Sequence, residues 1–214
     1  MRRACEDKVG PPAYSWLGRT EYDAMWKRMA QQADLLSVGQ EGEEVVWACE
    51  HDPVYTTGRR GVDNRRQAQL PAPLLVTDRG GETTFHGPGQ VMLYPVISLR
   101  KRHLGVREYV CRLEQSCIDL LATYGIQTSR RDGLPGVWVG TAKIAAIGLR
   151  VSRGVAWHGM ALNVCVDTHW FAAIDACGAG LGVTSMCAFV EPPALADLAN
   201  AWYALLSPRI VTIG

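Results

Sequence analysis

The sequence predicts one mixed α/β domain whose sheet is built from hairpins rather than from regular strand–helix alternation. Three observations lead there: amphipathic helical stretches near residues 20 and 105, a series of short β-prone runs, and no repeat, linker or low-complexity tract. The 214 residues, read as a single domain over 1–214, suffice to bury a substantial core.

Thr20-Glu21-Tyr22-Asp23 reads as a helix start with an acidic first turn. Tyr22, Met25, Trp26, Met29 and Leu36 follow at helical spacing, which predicts a helix over about 20–38. Val45-Val46-Trp47-Ala48-Cys49 is a short apolar run of the buried-strand kind; Pro53 to Thr57 leads into a Gly/Arg loop, and Leu74-Leu75-Val76 reads as a strand. Residues 79–90 hold too much glycine for a regular element, and Val91 to Leu99 is β-prone. Val106, Tyr109, Val110, Leu113, Cys117, Leu120, Leu121 and Tyr124 step by threes and fours, predicting a helix over about 105–124 that stops at Gly125. Gly136 to Val139 and Lys143 to Leu149 read as adjacent strands, and Ser152-Arg153-Gly154 turns the chain into a strand from Val155 to Val166. A short helix near 168–174 and a helix after Pro192-Pro193 complete the reading.

Composition narrows the class. With 48% apolar and 20% charged residues the chain is neither disordered nor membrane-like, and no apolar run approaches the ~20 residues needed to span a bilayer. The basic N-terminus is followed by no apolar segment of a secretion signal, so a cytoplasmic protein is expected. Seven cysteines, an odd count without Cys-x-x-Cys, argue against a disulfide framework or a zinc knuckle and for small buried side chains. Net charge is +1, yet cations gather at Arg59, Arg60, Arg65 and Arg66, at Arg100, Lys101, Arg102 and His103, and at Arg150 and Arg153. Such clusters can steer an acidic partner. Aromatic residues are not interleaved with them, so a nucleic acid is not the expected partner.

The loop Arg79-Gly80-Gly81-Glu82-Thr83-Thr84-Phe85-His86-Gly87-Pro88-Gly89-Gln90 has the glycines that let a backbone approach a ligand, without the Gly-Lys-Ser/Thr ending of a phosphate loop. Lys143 opens an apolar strand; in a desolvated pocket its pKa would fall from ~10.4 towards neutrality and let it shuttle protons. Cys177, in Asp175-Ala176-Cys177-Gly178-Ala179, would need a nearby cation to become a thiolate, and alone is no more notable than the other six cysteines. His86, His158 and His169 are spaced for structural or substrate contacts, and no metal site is expected.

Four blocks carry a resemblance. The 79–90 loop, Lys143-Ile144-Ala145-Ala146-Ile147-Gly148, His158-Gly159-Met160-Ala161-Leu162-Asn163-Val164 and His51 to Arg59 resemble, in order and spacing over about residues 20–190, the octanoyl-acyl-carrier-protein:protein N-octanoyltransferases, also called lipoate-protein ligase B. The resemblance implies the fold of the biotin and lipoate protein ligase catalytic domains. It also implies a Cys/Lys acyl-enzyme route, and Cys177 and Lys143 fall at the matching positions. Acyl contacts are implied at Arg79, Gly80, Gly81, Glu82, Thr83, Thr84, Phe85 and His86, at Ala146, Ile147 and Gly148, and at Gly159, Met160 and Ala161. The implied partners are octanoyl-acyl carrier protein, which brings the acyl group on its phosphopantetheine so that no further cofactor is needed, and the lipoyl domains of 2-oxoacid dehydrogenase E2 subunits and the glycine-cleavage H protein. A monomer is expected. One departure stands out: the family commonly has proline before the cysteine, and this chain has Ala176. Rival readings are an ATP-dependent lipoate or biotin ligase, a cysteine hydrolase using Cys177 with His158 or His169, and a non-catalytic acyl-binding module.

Overall fold

The computed structural model describes residues 9–38, 42–59, 70–174 and 182–211. Along the chain lie β1 (Ala13–Thr20), α1 (Tyr22–Ser37), β2 (Val45–His51), β3 (Val54–Thr57), β4 (Leu74–Val76), β5 (Thr84–His86) and β6 (Gln90–Ser98). Then follow α2 (Val106–Thr123), β7 (Ser129–Arg131), β8 (Leu134–Val139), β9 (Ala142–Ser152), β10 (Val155–Asn163) and α3 (Leu195–Leu206), with 3₁₀ turns at Thr168–Ala173, Met186–Ala188 and Ser207–Arg209. Seven strands form one sheet in the order β1-β2-β6-β10-β9-β8-β7, parallel only between β1 and β2; a small sheet runs β4-β3-β5. The mixed α/β class and the hairpin construction are as the sequence predicts.

β6 sits at the centre, and all nine of its residues are buried. Its side chains alternate between two cores, as the period of two requires. Val91, Leu93 and Ile97 join Leu113, Cys117 and Leu120 of α2 and Leu198 and Trp202 of α3. Met92, Tyr94 and Val96 join Met25, Met29, Ala33 and Leu36 of α1. Helices therefore cover both faces, and burial of these apolar faces, at about 25 cal/mol per Å², is what holds the layers together.

Two departures from regular pairing shape the site. Pro95 lies within β6 and has no N–H to give, and the β6–β10 ladder lapses opposite Trp157, His158 and Gly159 before resuming at Met160↔Leu93. In that gap His158 takes a φ of 60°, a left-handed conformation that costs a non-glycine residue about 1–2 kcal/mol. The second departure is a bulge between β8 and β9: Val137 pairs with Ala145, but the next residue, Trp138, pairs with Lys143. Ile144 and Ala145 consequently both enter the α2/α3 core, and Lys143 turns to the opposite face.

Several sequence readings need correction. β1 went unread, because as an edge strand with partly exposed residues it lacks a clean alternation. The glycine loop contains a short strand, β5, which pairs Phe85 with Tyr55 of β3. The short helix near 168–174 is present as a 3₁₀ helix, Thr168–Ala173, but β10 ends at Asn163, short of Val166. Arg102 is no surface cation: it is buried against Glu44 and donates to the carbonyls of Gly10 and Ile210. Arg150 is half-buried and pairs with Asp78, whereas Arg59, Arg100, Lys101, His103 and Arg153 are exposed. Arg60, Arg65 and Arg66 lie outside the described residues. The cysteines do not all behave as small apolar groups: Cys49 and Cys117 are buried, Cys111 is exposed, and Cys165 and Cys187 form a disulfide with Cα atoms 5.3 Å apart.

Candidate active site

A cavity of about 520 Å³ opens along β9, within the size range of small-ligand sites. The glycine loop forms one wall, the Ala146–Gly148 stretch of β9 and the Gly159–Ala161 stretch of β10 form the floor, and Lys143 stands at one side. Every acyl contact implied by the sequence borders this cavity except Phe85. Phe85 is fully buried elsewhere, stacked on Trp170 with ring centroids 4.8 Å apart and packed against Tyr55 and Phe171. It anchors the loop rather than lining the slot.

The loop is held by its backbone and by Arg79. The Gly80 N–H donates to the Leu149 carbonyl at 2.8 Å, on the edge of β9 that β8 leaves uncovered. Arg79 is buried and donates from Nη2 to the Thr56 carbonyl at 2.7 Å and from Nη1 to the Gly80 carbonyl at 3.0 Å. Its guanidinium therefore ties the loop to β3. At Gly148 an added Cβ would lie 3.1 Å from the Arg79 Cδ and 3.2 Å from the Gly80 carbonyl, so glycine there keeps the slot open.

The Lys143 stem passes Gly136, whose φ of 124° and missing side chain leave the room. Lys143 Nζ lies 4.7 Å from the centre of the Trp138 ring, close enough for a cation–π attraction worth about 0.5–2 kcal/mol. Its backbone is fixed by the segment 182–184: the Lys143 N–H donates to the Gly182 carbonyl at 2.9 Å, and the Thr184 N–H donates to the Lys143 carbonyl at 3.0 Å. Cys177, the predicted nucleophile, lies outside the described residues, as do Ala176 and Gly178.

Beyond the expected residues the cavity is lined by Tyr22, Met92, Tyr94, Val106, Val110, the turn Gly133–Pro135, Leu149, Val151 and His158. Sequence reading singled out only His158 among them; the others are apolar or aromatic and indistinguishable from core residues before the fold is known. His158 Nε2 sits 2.8 Å from Asp78 Oδ1, which also accepts from Trp26 Nε1 at 3.1 Å. Burial lowers the His158 pKa against the opposing pull of Asp78, and burial holds His86 far below the usual imidazole value. Neutral His158 donates through Nε2, which leaves its Nδ1 a bare acceptor; the buried His86 Nδ1 likewise has no hydrogen-bond partner among the described residues. Burial raises Tyr22 to about 12, so its phenol stays protonated. Burial by itself would raise Asp78, but His158, Arg150 and Trp26 together hold its carboxyl low. The slot thus presents apolar surface, neutral imidazoles and the Lys143 amine, with Arg79 and Glu82 in its glycine-loop wall, and its apolar part suits an uncharged acyl chain.

Comparison with known proteins identifies the family and the fold. Residues 25–206 match the lipoyl protein ligase A/B catalytic domain. An octanoyltransferase of Dechloromonas aromatica is 48% identical over 174 residues, covering 81% of this chain and 84% of that protein. One from Xanthomonas euvesicatoria pv. vesicatoria is 46% identical over 171 residues, covering 79% and 73%. Among solved structures, a lipoate protein ligase of Thermoplasma acidophilum superposes with a TM-score of 0.71 at 15% identity, over 94% of this chain and 84% of that one, a likeness of fold alone. The chain belongs to the lipoyl protein ligase A/B catalytic-domain family.

Proposed function

We propose that the chain is an octanoyltransferase of protein lipoylation, carrying octanoyl from an acyl carrier protein thioester to a lysine of lipoyl domains through a Cys177 acyl-enzyme. The relatives named octanoyltransferase support the reaction. The observation that carries the mechanism is an acyl-sized slot with Lys143 in its wall, where the Lys143 amide bonds Gly182, five positions after Cys177. Five residues of extended chain reach at most about 18 Å, a span that allows the cysteine to meet the amine without requiring it.

The Cys177 thiolate, favoured by the Lys143 ammonium, attacks the thioester carbonyl. The bond to the phosphopantetheine sulfur breaks, and that thiol leaves with the proton Lys143 gives up. The acceptor lysine's neutral amine then attacks the acyl-enzyme, Lys143 takes its proton, and Cys177 leaves as thiolate. Exchange of one thioester for another needs no ATP, and forming an amide from a thioester runs downhill. The acceptors we propose are the lipoyl domains of 2-oxoacid dehydrogenase E2 subunits and the glycine-cleavage H protein. Acidic partners of this kind would be steered by the exposed Arg59, Arg100, Lys101 and Arg153, so association slows as salt rises. No helix among the described residues is long and apolar enough to cross a membrane, which fits a cytoplasmic site of action. An ATP-dependent ligase would share the fold, but the solved lipoate ligases, at 15–16% identity, are alike in fold alone.

Intact mass after mixing with octanoyl-acyl carrier protein tests the route. One octanoyl adduct, formed without ATP, released by hydroxylamine and absent from Cys177→Ala, is the expected result. Transfer only in the presence of ATP, or an adduct that survives in Cys177→Ala, overturns it.

A further inference from the structure

The glycine loop and Lys143 are far apart in sequence, yet a short chain of hydrogen bonds joins them. Gln90, at the end of the loop, accepts from the Gly87 N–H through Oε1 at 3.2 Å and donates from Nε2 to Asn163 Oδ1 at 2.8 Å. Asn163, directly across the ladder from Gln90 at the end of β10, donates from Nδ2 to the Thr184 carbonyl at 2.9 Å. Thr184 in turn donates its N–H to the Lys143 carbonyl. Gln90 and Asn163 are both buried. Among the described residues no backbone hydrogen bond joins β10 to 182–184: the Asn163 side chain ties Thr184 directly, while the Cys187 N–H to the Val164 carbonyl and the Cys165–Cys187 disulfide hold the chain three residues further on.

We infer that Asn163 is a positioning residue: its amide sets the segment 182–184 against β9 and thereby the place of the Lys143 amine relative to the glycine loop. The inference rests on Lys143 being the proton shuttle. A buried amide suits the task because its two ends differ. Oδ1 can only accept, which Gln90 enforces, so Nδ2 must donate towards Thr184. The orientation is set from the loop side and read out on the lysine side. Misplacing a reacting group by about 1 Å can cost as much as ~10²-fold in rate.

Asn163→Asp keeps the shape and the acceptor for Gln90 but turns the donor facing Thr184 into a carboxylate oxygen. The expected result is a kcat lower by about tenfold or more with donor KM within about twofold, since the slot itself is untouched. Amide hydrogen exchange at Lys143 and Thr184 should quicken, and the pH profile should shift towards acid, because only a protonated carboxyl can donate to Thr184. Should that variant not fold, Gln90→Glu makes the same test by forcing the Asn163 amide to turn over. Wild-type kcat in the folded variant, or a lower kcat with unchanged exchange at those two amides, overturns the inference. Lys143→Ala is run beside it: if Lys143→Ala keeps full kcat, the shuttle reading falls, and the exchange result still decides whether Asn163 holds the segment.

Discussion

Asp78 Oδ1 and His158 Nε2 meet at 2.8 Å beneath the slot, joining the stem of the glycine loop to the strained residue of β10. Arg150 Nη1 reaches the other carboxylate oxygen of Asp78 at 3.1 Å, so one side chain gathers α1, β9 and β10 around the loop. This network offsets the left-handed backbone at His158 and explains how the chain keeps it.

Asp78→Ala leaves His158, Trp26 and Arg150 without their acceptor. Donors partly open to solvent lose less than fully buried ones, so about 2 kcal/mol of stability should go, with a smaller loss in Asp78→Asn. Donor KM should rise as the loop stem loosens. Urea midpoints at constant m-value together with donor KM measure both; an unchanged KM in Asp78→Ala would mean that the tie plays no part in holding the slot.

The two glycines of the floor should fail differently. A Cβ on Gly159 would fall on the Leu93 carbonyl oxygen, which belongs to the rigid centre of the sheet, so Gly159→Ala should cost about 3 kcal/mol or more. At Gly148 the nearest atoms are Arg79 Cδ at 3.1 Å and the Gly80 carbonyl oxygen at 3.2 Å, contacts relieved by a shift of a few tenths of an ångström. Gly148→Ala should cost about 1 kcal/mol and act mainly by narrowing the slot, raising donor KM. Thermal melts and acyl-donor kinetics on the pair check the contrast.

Cys165 and Cys187 close a loop with a sequence separation of 22, and Cys177 lies inside it. Alkylation mass counting should find two more thiols after reduction than before. By loop-closure entropy, Cys165→Ser should lower stability by about 3 kcal/mol under oxidising conditions and by much less when both proteins are reduced. Equal thiol counts in the two states would remove the basis for this stabilisation.

Much of this was legible beforehand. The helices α1 and α2 announced themselves by apolar spacing, because each presents a single stripe to a core. The glycine loop was legible because close backbone approach leaves glycine little alternative, as at Gly89, where an added Cβ would lie 2.4 Å from the Cys165 carbonyl. What sequence could not give depended on distant partners. Arg102 looked like a surface cation until Glu44, 58 positions away, met it in the interior. Lys143 reaches the slot face only because a bulge at Ile144 and Ala145 reverses the alternation, and nothing in Lys-Ile-Ala-Ala-Ile-Gly encodes that by period. The roles of Phe85 and Asn163 likewise followed from neighbours in space, Trp170 for one and Thr184 for the other.

The buried histidines make stability depend on pH with a definite sign. Burial lowers His51 from 6.5 to about 4, and its ring is held between the Thr20 carbonyl and the Tyr94 hydroxyl, each at 2.8 Å. His86 and His158 are lowered as well, chiefly by burial, and Asp78 is held low by its partners despite burial. In every case the unfolded chain binds a proton more readily than the folded one, so stability is full above the unfolded pKa and drains away as pH falls. For His51 the window runs from 6.5 down to about 4 and is worth about 3 kcal/mol, with His86 and His158 adding in the same direction. Urea titrations at steps across that window should give a free energy of unfolding that declines steadily with acid, and His51→Asn, which cannot titrate, should flatten part of the slope. A constant free energy over the same range would show that these rings bind protons equally in both states, and the lowered values assigned to them would fall.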